Sequence, residues 1–190
     1  MSRSDRRFSP SEVVVHTTFA ALVLVGIATA AVLYVDSLSI LVGRRSTVAT
    51  VHLWAGLLIP VPLAAGLLSR SFRADVRSLD GWSPDDSRWL RSRDRRSGAI
   101  PVDRFNAGQK LNAALTVGAI IVLLGTGAIM GSLVGAWPDD LRTGATFVHD
   151  WTAFGLTAAV TGHVWFAVKY RRGDAVKPAS VHALDPGRPR

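Results

Sequence analysis

Four histidines stand inside long apolar runs of this sequence: His16, His52, His149 and His163. Imidazole is the side chain best suited to ligate a metal or exchange a proton near neutral pH. Ionisable groups at membrane depth are costly, so each of the four is a functional candidate by default. His149 and His163 share the stretch "FVHDWTAFGLTAAVTGHVWFAV" and are fourteen residues apart. At about 100° and about 1.5 Å per residue, both rings face one side of a helix, about 21 Å apart along it. A lone histidine in such a helix is as readily a hydrogen-bonding partner for a neighbouring helix. Four of them, as nearly the only ionisable groups in their runs, ask for a shared explanation.

The runs that must position them cover residues 13–35, 47–68, 111–136 and 146–168. A bilayer is spanned by about 20 apolar residues, which each run supplies. None contains Lys, Arg or Glu, and the one acid, Asp150, sits at the edge of the last. A chain of 190 residues that is 48% hydrophobic suits a small membrane protein. The expected fold class is all-α, an integral membrane four-helix bundle. The first run is too long for a cleaved signal peptide, and no small-residue cleavage site follows it.

Charge gives an orientation. Of the 22 Lys and Arg, three precede the first run, ten lie between the second and third, and six follow the fourth; only Arg44, Arg45 and Arg142 fall elsewhere. Positive-inside sorting then puts both termini and the middle segment on the cytoplasmic side of a bacterial or archaeal inner membrane. The net charge of +8 is read as this topology, with no nucleic-acid partner expected. The absence of cysteine excludes disulfides, thiolate ligands and an iron–sulfur cluster within this chain. Segments 1–12, 69–110 and 171–190 are read as a cytoplasmic N-terminus, a long polar loop and a disordered tail that holds His182. Trp82 and Trp89 in the loop are expected to rest at the headgroups or to form a partner-binding turn. Pro60 and Pro62 should kink the second helix. Gly127, Gly131 and Gly135 make a small-xxx-small series, for close helix packing or for a flat cofactor.

With that orientation the histidines sort into two levels. His52 and His149 lie toward the outer face, His16 and His163 toward the cytoplasm. Each level draws one histidine from each of two helices. Two opposed imidazoles and no third ligand suit a low-spin b-type haem, whose apolar macrocycle fills the space between helices. Zinc usually takes three or four protein ligands. Two haem b groups, stacked across the membrane, are the expected cofactors.

The segments "RRFSPSEVVVHTTFAALVLVGIATA", "VATVHLWAGLL", "RFNAGQKLNA" and "FVHDWTAFGLTAAVTGHVWF" resemble the gamma subunit of respiratory formate dehydrogenases, a membrane cytochrome b within the wider group of four-helix di-haem cytochromes b. The resemblance implies the same haem pairs, His52 with His149 and His16 with His163. It also implies a quinone site on the cytoplasmic side at Asn106, Gln109 and Lys110. An electron-transfer subunit is implied, not one that oxidises formate itself. Its partners would be an iron–sulfur subunit and, through it, a catalytic dehydrogenase subunit. Menaquinone or ubiquinone would be the acceptor. Other readings are a cytochrome subunit of a nickel-iron hydrogenase, a non-redox membrane protein with structural histidines, and a membrane-surface binder using the basic segment 69–110.

Overall fold

The computed structural model describes residues 8–93, 100–131 and 135–174, with side chains up to Lys169. Eight helices and no strand occur among the described residues. They are α1 (Pro10–Tyr34), α2 (Asp36–Val42), α3 (Arg45–Leu58), α4 (Pro60–Gly66), α5 (Arg70–Asp80), α6 (Pro84–Arg91), α7 (Ala107–Met130) and α8 (Asp139–Asp174). α1 packs along α3 and α4, α7 packs along α8, and α3 touches α7, which closes the helices into a bundle. α2 links α1 to α3 at one end. At the other end α5 packs on α1 and α7, and α6 packs on α7.

Among the described residues three stretches are long and apolar enough to cross a membrane: Pro10–Tyr34, Arg45–Gly66 and Ala107–Met130. The fourth expected span lies within α8, whose 36 residues reach well beyond the apolar stretch. His149, Asp150, His163 and several threonines make it the most polar of the four long elements. Thr143, Thr146, Thr157 and Thr161 each return their hydroxyl to the carbonyl four residues back, at 2.8–2.9 Å. Their polar groups are thereby satisfied inside the helix, as hydrocarbon surroundings demand.

The helices begin where the sequence supplies caps. Ser9 and Glu12 form a capping box with Pro10 at the first helical position of α1. Ser83 and Asp86 do the same for α6, again followed by a proline, and Asn106 and Gln109 do it for α7. The second span breaks at the prolines. Pro60 has no N–H to give Gly56, and the Gly56 carbonyl takes the Ile59 N–H at 3.1 Å instead.

The stretch 36–46 between the first two runs is largely the helix α2, closed by Gly43 at φ +64°. Two expectations need correction. Segment 69–110 is not simply a long polar loop, because α5 and α6 form there, capped by Ser69 and Ser83. The three-glycine face does not exist as one stripe. α7 ends at Met130, so Gly131 is its C-cap, and Gly135 lies beyond the helix at φ +124°. Expectations for the N-terminal residues 1–7, for 94–99, for 132–134 and for the tail 175–190 with His182 lie outside the described residues.

Most large apolar side chains face outward, among them Leu24, Ile121, Phe147 and Trp165. A core is found at mid-bundle, where Val23, Ile59, Ile120 and Leu156 meet, one from each wall. Val23 is seven residues after His16, Ile59 seven after His52, and Leu156 seven from both His149 and His163. Seven residues are about two turns, so this apolar layer lies between the two histidine levels.

Candidate functional site

The fold brings together His52 with His149 and His16 with His163. The ring centroids are 6.2 Å apart in the first pair, with planes at 68°. They are 6.3 Å apart in the second, with planes at 46°. Two imidazoles bound trans to one metal stand about 6 Å apart, given about 2 Å from metal to each nitrogen and about 1 Å from nitrogen to ring centre. Each pair therefore has room for one ion on the axis between its rings, and both separations are too wide for a ring–ring hydrogen bond. No cluster of three or more His, Cys, Asp or Glu occurs among the described residues, so the donor set remains two nitrogens per centre.

The surroundings of the first pair are those of a flat apolar ligand. A cavity of about 980 Å³ surrounds His52 and His149, with Ile27, Leu53, Leu123 and Leu124 in its walls. Gly56 and Gly127 also line it. Gly127 lies against the His149 ring, where a Cβ would stand at ordinary contact distance, 3.5 Å from Cε1. Arg45, Tyr34 and Asp36 line the same cavity on the α2 side.

Two residues that the sequence did not single out complete this pair. His52 Nδ1 lies 2.9 Å from Thr29 Oγ1 and 3.2 Å from the Gly26 carbonyl. His149 Nδ1 lies 2.9 Å from Thr126 Oγ1. Each threonine hydroxyl already donates to a backbone carbonyl, Thr29 to Val25 at 2.7 Å and Thr126 to Val122 at 2.7 Å. A hydroxyl has one proton, so each threonine accepts from its histidine. Nδ1 therefore carries the hydrogen, and the Nε2 lone pair is free to bind a metal. The signal was present in the sequence as a repeated interval, since Thr29/His52 and Thr126/His149 are both 23 residues apart. Among the described residues no hydrogen bond reaches a ring nitrogen of His16 or His163.

The residues expected at a quinone site are at the N-terminal end of α7. Asn106 Oδ1 accepts from Gln109 N, and Gln109 Oε1 accepts from Asn106 N, both at 3.0 Å. The oxygens of both amides are thus engaged in capping. Lys110 is 5% exposed, and its Nζ donates to Asp86 Oδ2 at 2.8 Å. The structure gives Lys110 an anchoring partner on α6 where an open ligand contact was expected. Burial alone would raise the Asp86 carboxyl; the bonds from Lys110 and Ser83 outweigh it and hold the carboxyl below the usual carboxylate range.

A second ionic group ties the same end of the bundle. Arg104 pairs with Asp75 on α5 and, at 3.3 Å, with Glu12 on α1. Its guanidinium also lies over Phe8 and Phe105, at 5.6 and 5.7 Å. Glu12 is one turn from His16, so α1, α5 and the chain entering α7 are locked together beside the second histidine pair.

The family profile of prokaryotic cytochrome b561 matches residues 7–179, nearly the whole chain. No curated protein matches it. The match supports a cytochrome b and does not single out the gamma subunit of formate dehydrogenase. Histidines facing in pairs within a helical bundle suit a protein that holds haem between its helices. The chain belongs to the prokaryotic cytochrome b561 family, membrane cytochromes that carry b-type haem and transfer electrons.

Proposed function

We propose that this cytochrome holds two haems b, one between His52 and His149 and one between His16 and His163, and conducts electrons through them to a quinone. The observation that carries this reading is the near-equal separation of the two imidazole pairs, 6.2 and 6.3 Å. The four long elements would all cross the membrane, with both termini cytoplasmic, as the distribution of Lys and Arg favours. That puts the His52/His149 level near the outer face and the His16/His163 level near the cytoplasm.

Bound haem supplies an iron that changes its charge by one electron without gaining or losing a ligand. The protein's own residues do the rest. His52 and His149 would offer Nε2 to the iron, because the bonds to Thr29 and Thr126 engage Nδ1 and fix the tautomer that leaves Nε2 unprotonated. The hydrocarbon walls exclude water. Arg45, which lines the cavity and is held by the Leu33 carbonyl and the Ser39 hydroxyl, would supply a cation to acidic substituents of the macrocycle. At the cytoplasmic end, the amide NH2 groups of Asn106 and Gln109, whose oxygens are taken up in capping, would donate to a quinone carbonyl. Reducing a quinone takes two electrons, arriving singly, and two protons, which the cytoplasm provides.

The electron donor would dock at the outer face. The resemblance of the carrying segments favours an iron–sulfur subunit of a formate dehydrogenase, with a catalytic subunit behind it. A hydrogenase is the second reading, since the shared bundle serves either donor.

The test is the purified protein itself. Two irons per chain and a b-type alpha band in the reduced-minus-oxidised spectrum are expected, and His52→Ala should remove one haem and leave the other. Fewer than two irons at full occupancy, or a His52→Ala protein that keeps both haems, would overturn the reading.

A further inference from the structure

The two histidine levels differ in one respect that haem ligation alone does not require. At the His52/His149 level each ring has a threonine that accepts from Nδ1, and the two threonines are equivalent in detail. Each sits 23 residues before its histidine. Each donates to the carbonyl four residues back at 2.7 Å, and each receives its histidine at 2.9 Å. One comes from α1 and the other from α7, on opposite sides of the bundle. At the His16/His163 level no such acceptor occurs among the described residues.

Thr29 Oγ1 is more than a passive neighbour. Its proton is committed to Val25 and, at 3.0 Å, to Gly26. That leaves the oxygen lone pairs aimed at the imidazole, and the committed hydroxyl is a better acceptor for being itself a donor. Thr126 is in the same state, with Leu123 as its second carbonyl at 3.3 Å. A hydrogen bond accepted from Nδ1–H moves electron density into the ring and makes Nε2 the stronger donor. Stronger donation favours the more highly charged ferric iron over the ferrous, and so lowers the reduction potential.

Resting on the reading that His52 and His149 ligate a haem, we propose that Thr29 and Thr126 are positioning residues that hold the potential of that haem down. They act through the two imidazoles and touch no reacting atom. With both rings polarised at the outer level and no such bond at the inner level among the described residues, the ligand fields would bias each electron to leave the outer centre and reduce the inner one. The transfer moves one electron and no proton, because each Nδ1 hydrogen at the outer level stays in its hydrogen bonds, to Thr126 for His149 and to Thr29 and the Gly26 carbonyl for His52.

The experiment is a redox titration of the purified holo-cytochrome and its Thr29→Val, Thr126→Val, Thr29→Ser and Thr126→Ser variants. The outer signal is assigned as the one that His52→Ala removes. In the valine variants the outer potential is expected to rise with the inner unmoved. A tenfold change in the ferric-to-ferrous binding ratio would appear as about 59 mV for one electron. The serine variants keep the hydroxyl and should titrate like the native protein. If a valine variant loses the outer haem outright, a serine variant that binds it at the native potential supports the same conclusion. The proposal is overturned if the valine variants titrate like the native protein, if serine shifts the potential as far as valine, or if serine also fails to bind the haem. A His52→Ala protein that keeps both haems fails differently, because it removes the ligation reading on which this one stands.

Discussion

At the scale of single residues, the α7 lysine shows how one contact can be tested apart from the redox chemistry. Lys110 and Asp86 are both buried and bonded to each other. Removing one partner of a buried pair leaves the other charged and unsolvated, at a cost of about 3 kcal/mol. Lys110→Met should therefore lower the thermal stability of the purified protein at neutral pH. The Asp86 carboxyl is depressed in the folded state. Its contribution is fully present above the ordinary carboxylate range and is lost as pH falls through its lower, folded value. The gap between native and Lys110→Met melting points should narrow toward acid. A gap that does not change with pH would mean that Asp86 is not what Lys110 holds. The histidines were legible at this scale because four imidazoles in apolar runs stand out by type. Thr29 and Thr126 were not, because threonine in a membrane helix is ordinary and only its partner gives it a role.

The elements were legible where their apolar pattern was long. α1, α7 and the broken pair α3/α4 follow from continuous hydrophobic runs and the two prolines. α5 and α6 were missed because their apolar content is low and their helical character rests on caps and on packing against α1 and α7. A signal did exist: Ser83-Pro84-Asp85-Asp86 is a capping box with proline at the first helical position. The cap of α7 raises a question that substitution can separate. Asn106 caps the helix through its oxygen, and a quinone would use its NH2. Asn106→Ser retains a good cap and removes the amide donor. The expected outcome is an unchanged melting temperature with several-fold slower reoxidation of the haems by quinone. Native reoxidation kinetics in that variant would take Asn106 out of the quinone site.

At the scale of the whole molecule, the orientation rests on the distribution of Lys and Arg. Because the native sequence contains no cysteine, single cysteines report it cleanly. Ser37→Cys in α2 should react with a membrane-impermeant maleimide in intact spheroplasts. Ala74→Cys in α5 should react only after the membrane is opened. The reverse pattern would invert the two levels and with them the direction assigned to electron flow. The bundle was legible as long apolar runs because composition dictates it, and among the described residues three of the four expected spans are long and apolar enough to cross a membrane. The order within it, with α1 against α3 and α7 against α8, comes from packing that no single run encodes.

The layer of Val23, Ile59, Ile120 and Leu156 has a further consequence. A proton advances only by exchanging hydrogen-bond partners, and these four side chains offer none. An electron tunnels without any. The mid-bundle plug thus acts as an insulator for one kind of charge and is transparent to the other. Were electrons to pass between the two histidine levels, each would cross this layer without its proton, and the work of transport would be retained as a voltage across the bilayer.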